Sequence, residues 1–160
     1  IDGFGTTANG STVGYFEAFQ PSMEKTLVYD GKQSVPLFYD NTTASVSEVR
    51  ANTSDLAIGR DWTIGSPQTL VLWVCGSPAN ASQQMYVKVG SAKMLYGADI
   101  AKPIWTQWNI DLTALGINLS NVAQLAVGLE RIDGIGGSGM VLIDGIRLYR
   151  QAPPPPMEEI

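Results

Sequence analysis

Short apolar segments separated by turn-forming residues recur along the whole chain, and this spacing limits the possible folds more than any other feature. Gly, Pro, Asn, Asp and Ser lie between the segments, and no long stretch repeats at helical spacing. The pattern predicts an all-β sandwich or barrel. The segments with the residue types of β-strands are 24–30, 34–40, 45–51, 68–76, 84–90, 93–99, 105–112, 123–130 and 139–150.

Several segments also predict their place in such a sheet. LVLWVC, residues 70–75, is apolar on both faces, which is typical of a central strand. In residues 105–112 the apolar residues alternate, so that Trp108, Ile110 and Leu112 are expected to face the core. Residues 112–122 have room for one helical turn, and residues 89–93 favour a tight hairpin connection. The glycine-rich residues 131–140 are flanked by strands, which favours a hairpin loop over a phosphate loop that opens a helix.

Composition places the chain in a broad class. Its 160 residues are enough for a single domain with a sizeable core. The net charge is −5 and only 16% of residues are charged, which argues against a nucleic-acid partner. No window approaches the roughly 18 uninterrupted apolar residues of a membrane span. The lone cysteine, Cys75, lies in an apolar segment and is expected to be a small buried hydrophobic residue.

The chain contains no histidine. Ser-His-Asp and Cys-His catalysis are therefore excluded, as are histidine-containing zinc sites and the commonest general base. Carboxylate pairs remain formally possible, but most of the acidic residues lie in turn-like stretches. We expect a non-catalytic protein that needs no cofactor.

Aromatic residues offer better candidates for ligand binding, because their flat, weakly polar rings can stack on the C–H faces of sugars. Trp73 and Trp108 lie in apolar strand patterns and are expected in the core. Trp62 lies in a turn-rich stretch, and Trp105 is on the opposite face of its strand from Trp108. Trp62 and Trp105 are therefore the predicted sugar-stacking residues.

Asparagine recurs in Asn-X-Ser/Thr sequons. One interpretation is an extracellular surface coated with glycans. The other is that Asn, Ser and Thr all favour turns and fall together in loops. The candidate glycosylation sites are Asn9, Asn41, Asn52, Asn80 and Asn118.

The last ten residues, QAPPPPMEEI, cannot continue a sheet because prolines lack the N–H donor. They predict a polyproline II segment with an acidic tip. The expected organisation is a sandwich domain over residues 1–150 and a proline-rich tail over residues 151–160. The tail is either an interdomain linker or a segment that docks on a neighbouring subunit.

Four stretches, 31–49, 60–89, 105–129 and 136–150, carry a resemblance that extends over nearly the whole chain. Their motifs are GKQSVPLFYDN, DWT before an apolar strand, WTQWNIDL and the closing IDGIRLY. In these motifs the chain resembles secreted bacterial β-sandwich modules of the galactose-binding-like, carbohydrate-binding-module type. The resemblance implies a jelly-roll fold. It also implies an extracellular or cell-surface location beside glycoside hydrolases or in surface proteins, and sugar binding only in a loose sense.

The chain departs from that family in two places. The closing motif has Asp144-Gly145 where the family has two acids. The resemblance implies a structural calcium near Asp144, and the loss of one carboxylate argues against it. The family's acidic-aromatic first strand is also missing upstream. Because that strand commonly lies beside the last one, Val141, Ile143, Ile146 and Tyr149 are predicted to lie on an unpaired edge strand that another chain could pair with.

Two functions follow from these expectations. The first is a glycosylated extracellular structural subunit. It would associate with copies of itself by exchanging residues 1–13 or the tail, and would build a filament. The second is a carbohydrate-binding module of a larger secreted glycoside hydrolase or surface protein, with the tail as a linker.

Overall fold

The computed structural model describes residues 6–17 and 20–156, and for residues 6–9, 15–17 and 20–22 it describes the backbone only. Strands dominate this part of the chain, and three short 3₁₀ turns, Thr53–Asp55, Leu112–Ala114 and Leu119–Asn121, lie between them. None of its helices is long and apolar enough to cross a membrane. The strands are β1 (Thr6–Asn9), β2 (Thr12–Val13), β3 (Tyr15–Glu17), β4 (Gln20–Ser22), β5 (Val35–Asp40), β6 (Val46–Asn52), β7 (Thr69–Cys75), β8 (Gln84–Val89), β9 (Ala92–Leu95), β10 (Thr106–Asp111), β11 (Gln124–Glu130) and β12 (Ser138–Tyr149).

Two antiparallel five-stranded sheets pack face to face in a β-sandwich. Sheet A has the order β1-β6-β11-β8-β9, and sheet B has the order β10-β7-β12-β5-β2. Strands β3 and β4 form a separate two-stranded ribbon. Apart from the β8-β9 hairpin, neighbours within each sheet are not consecutive in sequence, so the chain crosses repeatedly between the two layers. The predicted all-β sandwich is confirmed.

Alternation along each strand fills the space between the sheets with apolar side chains. Trp108 and Ile110 of β10 and Leu112 just after it are buried in the core, as their spacing predicts. Leu70 and Leu72 of β7 face the same core. The opposite face of β7, with Val71, Trp73 and Cys75, is buried as well, which explains why its sequence is apolar on both faces.

The predicted unpaired edge strand is wrong. β12 is the central strand of sheet B: its residues Ser138 to Ile143 pair with β5, and its residues Leu142 to Tyr149 pair with β7. Val141 and Ile143 are buried in the core. Ile146 packs against that core, and Tyr149 pairs with Thr69 of β7. The same chain therefore supplies a neighbour along the whole of its last strand, β5 beside the first half and β7 beside the second half.

The predicted donor segment at the start of the chain also pairs within the same molecule. β1 lies against β6 of sheet A, and β2 lies against β5 of sheet B. Residues 1–5 of that segment lie outside the described residues. The described part of the predicted donor segment is therefore engaged within its own molecule.

Of the three local predictions considered next, the hairpin is confirmed, and the strand at 24–30 and the hairpin loop at 131–140 are wrong. The tight hairpin is confirmed between β8 and β9, where Gly90 and Ser91 form the turn. Residues 24–30 are a loop rather than a strand, and only Glu24 forms a bridge, to Ser34. Residues 131–137 cross from sheet A to sheet B instead of closing a hairpin, because β11 and β12 belong to different sheets.

Candidate functional site

A row of three side chains crosses the outer face of sheet B. Gln107 of β10 is in register with Trp73 of β7, and Trp73 is in register with Asp144 of β12. The core positions alternate with these, so all three point away from the core. Trp73 is nevertheless only 5% exposed, because other parts of the chain cover it.

Asp144 fixes the loop that provides this cover. Its side chain is 1% exposed. Its Oδ2 accepts hydrogen bonds from the backbone N–H groups of Tyr29 and Asp30, each at 3.0 Å, and its Oδ1 accepts from Gly145 N at 2.7 Å. A carboxylate that accepts three N–H groups satisfies the backbone of a loop that leaves the sheet. Asp144 thus ties residues 29 and 30 to the centre of sheet B.

Gly145 makes room for this arrangement. The register of β12 against β7 shifts between Asp144 and Arg147, and Gly145 has a left-handed φ of +58° at this bulge. A Cβ at this position would lie 2.8 Å from Cδ1 of Trp73. The departure from the paired acids of the resembled family therefore has a steric reason in this chain.

Three aromatic rings meet above the bulge. Tyr29 stacks on Trp73 with ring centroids 3.7 Å apart and an angle of 16° between the ring planes. Tyr29 as a whole residue remains 45% exposed. Trp105 is half-buried, and its ring centroid is 6.1 Å from that of Tyr29 at a tilt of 54°. We call the groove beside them the aromatic groove. Its volume is about 400 Å³, and it is lined by Tyr29, Asp30, Trp73, Gly145, Arg147, Tyr149, Pro153, Pro154 and Pro156.

Polar groups line the floor and rim of the aromatic groove. Arg147 is paired with the carboxylate of Asp30. A hydrogen bond with Tyr149 and the charge of Asp30 raise the pKa of the Arg147 guanidinium. Desolvation and the neighbouring Tyr149 and Asp30 raise the pKa of Tyr29, which therefore keeps its proton. The groove combines exposed aromatic surface with fixed donors and acceptors.

The proline-rich tail forms one wall of this groove. Nε2 of Gln107 donates a hydrogen bond of 2.9 Å to the carbonyl oxygen of Pro153. Pro153 is half-buried, while Pro154, Pro155 and Pro156 are exposed. The described part of the tail thus lies on its own domain. The prediction that it docks on a neighbouring subunit has no support in this arrangement.

The outer face of sheet A carries a second cluster, which we call the polar trough. Its centre is β11, where Gly128 is in register with Glu48 of β6 on one side and Tyr86 of β8 on the other. A Cβ at Gly128 would overlap the Tyr86 hydroxyl, so only glycine lets that ring lie across β11. The trough measures about 540 Å³ and is lined by Ser45, Val46, Glu48, Arg50, Tyr86, Lys88, Lys93, Glu130, Arg131 and Gly134.

Glu48 organises the polar trough. Its carboxylate accepts hydrogen bonds from the Tyr86 hydroxyl at 2.5 Å and from Arg50 Nε at 2.6 Å, and Lys88 Nζ lies 3.0 Å away. Burial favours the neutral acid, but the bonds from Tyr86, Arg50 and Lys88 outweigh it and lower the pKa of Glu48 to about 2. Lys93 lies over the Tyr86 ring and pairs with Glu130 at 2.6 Å.

The two predicted sugar-stacking tryptophans have different outcomes. Trp62 is 1% exposed and belongs to the core, where its Nε1 donates to the carbonyl of Gly59. The prediction for Trp62 is therefore wrong, because the turn-rich stretch around it folds over the end of the sandwich and buries the ring. Trp105 lies beside Tyr29 but is not among the residues that line the aromatic groove, and its role in binding stays a prediction.

Two of the five predicted glycosylation sites are structural amides. Asn41 is fully buried and donates to Gln83 Oε1 and to the carbonyl of Leu129. Asn80 uses its amide nitrogen on the carbonyls of Ile100 and Met140. Glycosylation replaces one of the two Nδ2 hydrogens and would break one of these bonds at each amide. Because Asn41 is also fully buried, its prediction is wrong for the folded chain, whereas the half-buried Asn80 stays a prediction.

The remaining sequons stay predictions. Asn52 and Asn118 are exposed, and the side chain of Asn9 lies outside the described residues. Oδ1 of Asn118 accepts from the backbone N–H and the hydroxyl of Ser120. The same turn occurs where Asp61 accepts from Thr63. These turns favour the interpretation that the sequon spacing reflects turn chemistry.

Asp144 was the one predicted metal ligand. Its carboxylate is engaged by three backbone N–H groups, so that prediction is wrong. Residues 6–17 and 20–156 contain no group of three or more His, Cys, Asp or Glu side chains that could hold a metal ion.

Most residues that build the aromatic groove are not predictable from the sequence. The strand pattern of residues 24–30 predicts Tyr29 and Asp30 in a strand, and Tyr149 is predicted on an edge. The local signal that argues otherwise is Asp30-Gly31, a turn-forming pair in which Gly31 has a φ of +72°. No local signal links Arg147 to Asp30, because the two are distant in sequence.

No protein-family model matches the sequence, and no curated protein matches it. Solved structures do resemble it. One is the family 11 carbohydrate-binding module from Clostridium thermocellum in complex with a β-1,3-1,4-mixed-linked tetrasaccharide. Its TM-score is 0.60 at 12% identity, and the match covers 90% of this chain and 86% of that one. A family 30 carbohydrate-binding module has a TM-score of 0.58 and 13% identity over 96% of this chain and 88% of that one.

Two longer structures match as well. A structure of carbohydrate-binding modules from the β-sandwich superfamily has a TM-score of 0.60 at 12% identity. The match covers 93% of this chain and 58% of that one. An exo-β-agarase has a TM-score of 0.61 at 12% identity, and the chain spans 24% of it. At this level of identity the likeness concerns the fold. The resemblance noted from the sequence motifs is confirmed in that respect: the chain has the β-sandwich fold of carbohydrate-binding modules.

Proposed function

We propose that this chain is a non-catalytic carbohydrate-binding module that takes its ligand in the aromatic groove. The observation that carries the proposal is the placement of Tyr29. Its ring is held flat on Trp73 by stacking and by the two backbone bonds to Asp144, while part of it stays open to solvent beside Trp105. A rigid, partly exposed aromatic ring loses little entropy when it stacks on a sugar.

The polar residues of the groove complement the aromatic rings. A sugar ring presents C–H groups on its faces and hydroxyls around its edge. Asp30, Arg147 and Tyr149 offer acceptors and donors at the rim for those hydroxyls. The volume of about 400 Å³ lies in the range of small-ligand sites. A neutral oligosaccharide fits this chemistry better than an anion, because the chain carries a net charge of −5.

The polar trough is the competing location for a saccharide. Its charged side chains are fixed by mutual pairing around Glu48 and could bond sugar hydroxyls. Its one aromatic ring, Tyr86, is buried and already covered by Lys93, so it offers less stacking surface. We therefore place the aromatic groove first.

Affinity electrophoresis in a panel of soluble polysaccharides tests both the function and its location. The panel includes mixed-linked β-1,3-1,4-glucan, agarose and cellulose derivatives. We expect retardation of the wild-type chain by at least one neutral polysaccharide. Tyr29→Ala and Trp105→Ala should each weaken it about five- to thirtyfold, since an aromatic anchor contributes roughly 1–2 kcal/mol.

The matched control is the pair Arg50→Ala and Lys88→Ala in the polar trough. If these two changes abolish retardation while Tyr29→Ala and Trp105→Ala leave it intact, the ligand binds on sheet A and our location is wrong. If no polysaccharide retards the wild-type chain, the carbohydrate-binding function itself is contradicted.

The context of the module belongs to the same proposal. Similar modules are found with glycoside hydrolases, such as the agarase, which supports an extracellular role. We propose that residues 1–150 form the binding module and that residues 151–160 are an appended segment. Two of the features that favoured a self-associating fibre subunit lose their support, because β12 pairs with β5 and β7 and because Pro153 is bonded to Gln107 of the same chain.

A further inference from the structure

We propose that the aromatic groove is also a recognition site for proline-rich peptide, with the chain's own residues 151–156 as its resident ligand, so that this segment and a saccharide compete. The competition rests on the proposed function, but the recognition of proline does not. The segment lines the same groove as Tyr29, Trp73 and Tyr149. Aromatic-lined grooves that bind polyproline II segments are a recurring mode of peptide recognition.

The chemistry of the segment fits such a groove. A run of prolines has a fixed backbone and no N–H donors, so its carbonyl groups are the parts that need partners. Gln107 supplies a donor to the carbonyl of Pro153. Gln107 is in register with Trp73, and the segment is therefore held directly beside the stacked pair of Tyr29 and Trp73.

The contact is suited to displacement. Only Ala152 and Pro153 are half-buried, and the three following prolines are exposed. Within residues 151–156, the backbone forms no strand pairing and no helix. A segment held by one side-chain bond and a few ring contacts opens at low cost in free energy.

The side chain of Gln107 has an unpaired hydrogen-bond acceptor, with which a saccharide could form a bond that the proline segment does not form. Nε2 of Gln107 donates to both Pro153 O and Asn109 Oδ1, at 2.9 Å each. Its Oε1 is buried and is the one buried side-chain polar atom without a partner in the described chain. Both partners of Nε2 are oxygens, so flipping the amide does not solve the problem. A sugar hydroxyl could donate to Oε1, which a proline carbonyl cannot do.

The expected effect follows from the fraction of molecules in which the groove is open. The apparent dissociation constant is the intrinsic one divided by that fraction. If the segment occupies the groove in about 70–90% of molecules, its release tightens saccharide binding by about three- to tenfold. If the segment instead contacted the bound saccharide, its release would weaken saccharide binding.

The first experiment compares the wild-type full chain with a full-length variant in which Pro153, Pro154, Pro155 and Pro156 are all replaced by serine. Pro103→Ser, in the exposed stretch before β10, is the control. Binding of a soluble mixed-linked β-1,3-1,4-glucan oligosaccharide, or of the best polysaccharide in the panel above, is measured for each. We expect tighter binding by the serine variant alone. Unchanged or weaker binding overturns the competition.

The second experiment measures, without any saccharide, whether the proline-rich segment is bound in the groove. The side-chain amide resonances of Gln107 and the backbone amide relaxation of Gln151 and Ala152 are followed by NMR. In the serine variant, we expect shifted Gln107 resonances and faster local motion of Gln151 and Ala152. Identical spectra would contradict proline recognition even if saccharide binding is observed.

The two experiments separate the two proposals. Saturation of the wild-type chain with saccharide should release Gln151 and Ala152 to the mobility seen in the serine variant. If no saccharide binds but the Gln107 resonances still depend on the prolines, the proposed function fails and proline recognition stands. If saccharide binds without any change at Gln151 and Ala152, the ligand and the segment do not compete.

Discussion

Tyr29 and Trp73 stack with ring centroids 3.7 Å apart, although one lies in a loop and the other in β7, an inner strand of sheet B. The stack exists because Asp144, in register with Trp73 on β12, accepts the backbone N–H of Tyr29. An exposed ring in a loop would ordinarily be mobile. Here a buried carboxylate sets its position.

Asp144→Ala should destabilise the chain and release the loop. The change leaves three backbone N–H groups without their charged acceptor, which we expect to cost about 2–4 kcal/mol in the free energy of unfolding. Urea denaturation measures the loss, and near-ultraviolet circular dichroism reports the stack of Tyr29 on Trp73. Asp55→Ala, at an exposed position, is the control and should change stability by less than about 0.5 kcal/mol. Equal stability of the two variants would show that Asp144 does not hold the loop.

Gly145→Ala should strain the bulge of β12. The new Cβ requires an unfavourable left-handed backbone and meets the Trp73 ring, so we expect a loss of about 1–3 kcal/mol. Thermal unfolding measures it, and tryptophan fluorescence detects the displacement of Trp73. Gly97→Ala is the control, since nothing lies within 4 Å of its Cβ position. A Gly145→Ala variant as stable as Gly97→Ala would contradict the steric argument.

Tyr86→Phe should destabilise sheet A. Without the hydroxyl, the buried Glu48 carboxylate loses one of its three partners, and we expect a cost of about 1–3 kcal/mol. Tyr29→Phe removes a hydroxyl from a residue that is 45% exposed, and it serves as the comparison in the same urea titration. The importance of the Glu48 network would be disproved if Tyr86→Phe were as mild as Tyr29→Phe.

Glu48 should make the stability of the chain depend on pH in the acid range. Its pKa is lowered from 4.5 to about 2 by folding. Folding then favours the ionised form, so the stabilisation is complete above about pH 5 and is lost as the pH falls towards 2. Unfolding free energies at pH 6 and pH 3 should therefore differ more in the wild-type chain than in Glu48→Gln.

The comparison with Glu48→Gln is needed because other carboxylates titrate in the same range. Hydrogen bonds from the threonine two residues later lower the pKa of Asp40, Asp61 and Asp111. These acids are present in both chains, so only the difference between the two pH profiles reports on Glu48. Parallel profiles would mean that the pKa of Glu48 is not lowered.

Trp62 should matter for stability and not for binding. Trp62→Ala leaves a large cavity in the core and should cost about 3–5 kcal/mol. Trp62→Phe fills most of that space and should retain the wild-type affinity for any polysaccharide that binds, while Trp105→Ala loses it. A loss of affinity in a folded Trp62→Phe chain would restore Trp62 as a ligand-binding residue.

The sequence predicts a residue's position correctly where contacts with residues nearby in the sequence determine that position. The alternation of Trp108, Ile110 and Leu112 correctly placed those side chains in the core, because the period of a strand is a local property. The turn at Gly90 and Ser91 was predictable for the same reason. Trp62 was misplaced because its burial depends on how the end of the sandwich closes, to which no neighbouring residue points.

The sequence by itself determined the class of fold, the absence of histidine-based catalysis and the polyproline character of residues 151–156. These follow from residue types and their spacing. Only the tertiary structure decided that β12 lies between β5 and β7, and that Asp144 holds a loop instead of a metal. It also decided that Tyr29, Trp73 and the prolines share one groove. The physical reason is that strand pairing joins residues that are far apart in sequence, and the order of strands in a sheet is set by the packing of the whole chain.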